Sequence, residues 1–124
     1  MNIYQEKLID NYENPRNYGV IEDPSARARL ENLSCGDSIE VFLKIQDEKI
    51  EDIKFSGEGC SVAVASMSVL SEFVKNKTID DILKINLEKI VELLGVELTL
   101  SRLKCAGLGL ETLKKAIGDY LERS

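Results

Sequence analysis

The order of hydrophobic patterns predicts an α+β fold, a small antiparallel sheet of about three strands with helices packed on one face. Three observations lead there. Apolar residues alternate with polar ones only in the stretch before residue 56. From residue 61 onward they recur every three or four residues. One change of period, at "SGEG" (Ser56 to Gly59), separates the two regimes. Strands first and helices after is the order of an α+β domain rather than of alternating βαβ units.

Each element has its own warrant. Tyr4, Leu8 and Tyr12, spaced by fours, predict a short helix over Ile3 to Tyr12. "NPRNYG" ends it, because Pro15 disfavours helix at Asn14 and Gly19 marks a turn. Arg27 to Leu33 supplies a candidate strand. Ile39, Val41, Leu43 and Ile45 alternate with Ser38, Glu40 and Lys44, with Phe42 the one exception. "QDEK" then turns the chain, and Ile53 and Phe55 alternate with Asp52 and Lys54, which completes a hairpin. Ser61 to Val74 is rich in Ala, Val, Met and Leu and predicts a largely buried helix. Thr78 with Asp81 three residues on has the form of a capping box, and Asn86 precedes Leu87, Ile90, Val91 and Leu94 at helical spacing. Leu103, Ala106, Leu110, Leu113, Ile117 and Leu121 predict an amphipathic last helix.

The chain has 124 residues, 44% hydrophobic and 31% charged, without repeats, low-complexity segments or linkers, which suits a single domain over 1–124. The net charge of −6 argues against nucleic acid or an anionic membrane as the main partner. No apolar run approaches the roughly 18 residues of a membrane span, and no secretory h-region is present, so a cytoplasmic protein is expected. Histidine is absent, which removes the commonest general base and the commonest neutral metal ligand. Three cysteines, an odd number, do not make a disulfide framework.

Cys35 stands in "SCGDS" before a strand, Cys60 in "GEGCS" at the start of a helix, and Cys105 in "RLKCAGLG" near the start of the last helix. All three are expected at junctions between elements, each with a glycine within two residues. Glycine lets backbone approach a ligand closely, and a helix N-terminus favours a thiolate. The competing reading is that each cysteine is a small buried hydrophobe. Asp37 also has two readings, a turn residue capping backbone N–H groups or a hard oxygen ligand beside soft sulfur.

Taken together, these segments resemble the IscU/SufU/NifU-N-terminal family of iron–sulfur cluster scaffolds. "NYENPRNYG" resembles the family's N-terminal segment. "NLSCGDSIEVFLKI", "IEDIKFSGEGCSVAVASMSVLSEFVKNKT" and "RLKCAGLGLETLKKAIGDY" resemble its three cysteine motifs, in the same order. The resemblance implies an IscU-like fold in which Cys35, Asp37, Cys60 and Cys105 converge at one exposed end. It implies that they bind a transient [2Fe–2S] cluster, or Zn²⁺ when the cluster is absent. Sulfur would arrive as persulfide from a partner cysteine desulfurase, with Cys105 the first choice of acceptor and Cys35 the alternative, and the cluster would pass to apo-proteins.

Three departures qualify the match. Leu33 stands where the family often has proline, and Lys104 where many IscU members have histidine, which makes Asp37 the expected fourth ligand. "VELTLSRLK" lacks the Leu-Pro-Pro-Val-Lys segment bound by a DnaK-type chaperone, so that partner is not implied. Lys104 and Arg102 are either solvated helix-start cations or charges that stabilise nearby thiolates. The alternative function is a SufU-type zinc-dependent sulfur acceptor, which the missing histidine favours. SufU-type chains typically carry an insertion between the second and third cysteines, and the 45 residues from Cys60 to Cys105 are too few to include it. A third reading, a structural zinc domain, is disfavoured by mixed sulfur and oxygen ligation, since structural zinc sites are usually closed Cys/His sets.

Overall fold

The computed structural model describes residues 3–34 and 36–123. Helix α1 (Ile3–Glu13) leads into strands β1 (Ala26–Asn32), β2 (Asp37–Gln46) and β3 (Lys49–Glu58), and helices α2 (Ser61–Val74), α3 (Ile79–Leu83), α4 (Leu87–Leu94) and α5 (Leu100–Arg123) follow. The strands form one antiparallel sheet in the order β1-β2-β3. Its register pairs Asn32 with Asp37 at one end of β1 and β2, and Ile39 with Gly57 between β2 and β3.

The alternation seen in sequence sets the faces. Ala26, Ala28, Ile39, Val41, Leu43, Ile53 and Phe55 are buried and pack with α2 and α5 in one core. Phe42 breaks the alternation, yet it is also buried. It belongs to the other face of the sheet, where the Arg27 guanidinium lies 5.6 Å from its ring centre. Strand β1 runs one residue ahead of the expected range at each end.

Helix α2 is buried continuously from Val62 to Ser71, as its all-round apolar sequence requires, and is the central helix of the molecule. Two of its buried serines, Ser68 and Ser71, are satisfied by the N-terminal segment, whereas the Ser66 hydroxyl has no partner among the described residues. Ser68 Oγ donates to Asn11 Oδ1 at 2.7 Å and accepts from the Arg16 N–H at 2.8 Å. Asn17 Nδ2 donates to Ser71 Oγ at 2.9 Å. These bonds tie α1 and the loop after it to α2, because a buried hydroxyl without a partner costs free energy. Thr78 caps α3 by accepting from the Asp81 N–H, and Asn86 caps α4 by accepting from the Lys89 N–H, as the sequence predicts.

Candidate metal centre

Antiparallel pairing brings the start of β2 beside the end of β3, and α2 begins three residues after β3 ends. Asp37 is therefore brought against Cys60, 23 residues on. The Asp37 carboxylate is 1% exposed. Its Oδ1 accepts the Cys60 backbone N–H at 2.8 Å, and its Oδ2 lies 3.7 Å from Cys60 Sγ. Cys60 is the N-cap of α2 and lacks a side-chain cap of its own.

Two glycines make this approach possible. Gly36 takes φ +73° in the turn between β1 and β2, closed by the Gly36 N–H donating to the Asn32 carbonyl at 2.9 Å. Gly59, at φ +144°, lies against Asp37 so closely that a Cβ there would overlap the carboxylate.

Helix α5 delivers the third group. Cys105 is 3% exposed, and its Sγ lies 3.8 Å from the Ser101 carbonyl. One ligand atom from each of Asp37, Cys60 and Cys105 can be chosen so that all lie within 4.8 Å of one another. A tetrahedral ion with Zn–S near 2.3 Å and Zn–O near 2.1 Å holds its ligand atoms roughly 3.5–3.8 Å apart. The Asp37–Cys60 pair already has that separation, and small side-chain movements bring in Cys105. Two thiols and a carboxylate suit the donor preferences of zinc, and the thiols those of an iron–sulfur cluster.

The structure amends the sequence reading in two respects. Cys105 is not at the junction expected of it. Helix α5 begins at Leu100, with Thr99 Oγ1 accepting from the Arg102 N–H at 3.4 Å, so Cys105 sits in the second turn. Asp37 and Cys105 are buried rather than laid open at an exposed end, although exposed Leu33, Ser34 and Gly36 precede Asp37 and exposed Glu58 and Gly59 precede Cys60 in the chain. Asp37 accepts a backbone N–H, as its capping reading expects, and this leaves its second oxygen facing Cys60 Sγ. Cys35 lies outside the described residues. Lys104 and Arg102 are both exposed, and Arg102 lines a groove of about 500 Å³ with Ser61 and Val62, directly after Cys60. The bond from the Cys60 N–H to Asp37 was not anticipated, because nothing local in sequence pairs residues 37 and 60.

Residues 3–124 match the family model described as NifU-like N terminal domain. The chain is 38% identical over 122 residues to iron-sulfur cluster assembly scaffold protein IscU 1 of Archaeoglobus fulgidus, covering 98% of this chain and 79% of the relative. It is 35% identical over 132 aligned positions to the zinc-dependent sulfurtransferase SufU of Bacillus subtilis, covering 93% of this chain and 89% of the relative. The fold matches the crystal structure of a nitrogen-fixing NifU-like protein (N-terminal) from Brucella abortus with a TM-score of 0.83 at 19% identity, over 98% of this chain and 96% of that one.

Proposed function

The chain belongs to the NifU-like N-terminal domain family, and on that premise we propose that it is an iron–sulfur cluster assembly scaffold. In this reading residues 1–124 act as one scaffold domain that takes sulfur from a cysteine desulfurase, builds a labile [2Fe–2S] cluster and hands it to apo-proteins, without turning over a small-molecule substrate of its own. The observation that carries the reading is the convergence of Asp37, Cys60 and Cys105 within 4.8 Å in a chain of this family. Cys35, two residues before Asp37, completes the proposed ligand set, and Zn²⁺ takes the same four residues when the cluster is absent. A site of free thiols suits the reducing cytoplasm.

Chemically, a thiolate of the scaffold attacks the outer sulfur of the donor's persulfide. The new S–S bond forms on the scaffold, and the donor cysteine leaves as thiolate. Cys105 is the assigned acceptor and Cys35 the alternative. Because Cys105 is 3% exposed, its attack on the donor's persulfide requires a local rearrangement that bares its sulfur. Each transferred sulfur then takes up two electrons from an external one-electron carrier to become bridging sulfide. Asp37 supplies one oxygen among sulfur ligands, the weakest link to iron and the point at which a recipient thiolate enters.

The second reading is a zinc-dependent sulfurtransferase, favoured by the 35% identity to SufU. That alignment, at 132 positions, is longer than this 124-residue chain, so SufU carries residues that this chain lacks. This supports the scaffold reading.

Anaerobic reconstitution with iron, cysteine and a desulfurase separates the two. A scaffold develops the visible absorption of a [2Fe–2S] cluster and passes it to apo-ferredoxin, with Asp37→Ala holding its cluster longer and delivering it more slowly. A relay retains zinc and transfers persulfide sulfur without forming a cluster. X-ray absorption of the zinc form should show three sulfur scatterers near about 2.3 Å and one light atom. Four sulfurs would remove Asp37 from the ligand set.

A further inference from the structure

A second charged feature lies away from the thiols. Between the end of α2, α3 and the start of α4 is a pocket of about 370 Å³ whose lining includes Lys77, Lys84 and Lys89 around Phe73, with Asp81 its one acidic residue. Lys77 Nζ lies 4.3 Å and Lys89 Nζ 5.1 Å from the Phe73 ring centre, so two ammonium groups share one ring. Lys89 has Glu92 at 3.4 Å. Among the described residues neither Lys77 nor Lys84 has a carboxylate within ion-pair distance, Asp81 included. In a chain of net charge −6, this is a local surplus of positive charge held by side chains that repel one another.

We propose that this pocket docks a short, carboxylate-rich segment of a partner protein. The charge pattern selects the occupant. Nucleic acid is repelled by the rest of an acidic molecule. A phosphate group prefers backbone N–H donors at a helix start, and both helix starts beside this pocket are already capped by a side chain. The Lys89 N–H donates to Asn86 Oδ1 and the Asp81 N–H to Thr78 Oγ1, each at 3.1 Å. What is left is three flexible point charges, which suit carboxylates spaced along a mobile chain. Phe73 is 13 residues beyond Cys60, about 20 Å along α2 at 1.5 Å per residue, so the pocket remains accessible while another protein covers the thiols.

The test uses the intact chain and a capped hexaglutamate peptide, followed by amide chemical shifts at about 20 mM salt, where surface charges are weakly screened. The expected shifts fall on residues 73–89 and leave the Cys60 region unmoved. Lys84→Glu/Lys89→Glu should weaken binding by about tenfold, and Lys84→Gln/Lys89→Gln by less, with melting curves showing each variant folded. Equal affinity in the Glu variant, or shifts centred elsewhere, overturns the proposal. Inorganic phosphate or a short DNA strand binding as tightly as the peptide also overturns it, in favour of a general anion site. Peptide binding is read without iron or sulfur, so its failure is separate from failure of the scaffold reading.

Discussion

The bond between the Cys60 N–H and Asp37 Oδ1 makes one side chain responsible for two properties that substitution can separate. Asp37→Asn keeps an oxygen acceptor for that N–H but loses the charge a metal requires. Asp37→Ala loses both, and leaves a part-buried N–H without its partner. Denaturant unfolding without metal should find the Asn variant near the wild type and the Ala variant less stable by about 1–3 kcal/mol. Zinc titration should find both weakened. Equal stability of the two variants would mean that the bond adds nothing to the fold. Gly59 is the complementary case. Gly59→Ala places a Cβ into the Asp37 carboxylate at a backbone φ of +144°, and should cost at least about 2 kcal/mol in the same unfolding experiment. Zinc affinity should fall with it, whereas a substitution at Gly118, whose Cβ would meet nothing within 4 Å, should leave affinity unchanged.

Among elements, α1 depends on the side chains of α2 for its place. Ser68→Ala removes the acceptor of the Arg16 N–H and the donor to Asn11 together. It should destabilise by about 1–3 kcal/mol, with hydrogen exchange accelerating in α1 before it does in β2. Uniform acceleration would show that α1 is not a separate opening unit. The elements themselves were legible because their patterns are local. The alternation of Ile39 to Ile45, the capping residues Thr78 and Asn86 and the apolar run from Val62 each need only a few neighbouring residues to be read. The start of α5 was not legible, because its cap, Thr99, stands outside the leucine pattern that revealed the helix. Phe42 could be marked as an exception but not explained, since the arginine covering it comes from a different strand. The Asn11–Ser68–Arg16 bonds were invisible for the same reason. For the candidate site, glycine and cysteine pointed to segments that the fold brings together, while the depth of burial of Asp37 and Cys105 depends on packing that no single segment encodes.

For the whole molecule, the candidate site gathers groups from the start of β2, the cap of α2 and the second turn of α5. A metal that binds there binds only the folded chain, so zinc at 100 times its dissociation constant should add about 2.7 kcal/mol of stability, and a chelator should remove it. Identical melting temperatures with and without saturating zinc would mean that the metal does not join these segments. The same arrangement has a mechanical consequence. An ion held by Asp37, Cys60 and Cys105 closes 68 residues of chain, 37 to 105, into a loop that a pull on the two ends cannot straighten. Stretched in a single-molecule instrument, the zinc-loaded protein should therefore unfold in two steps. The second, on rupture of the metal bonds, should release about 240 Å of contour length at about 3.5 Å per residue, and the metal-free protein should give up its whole length in one.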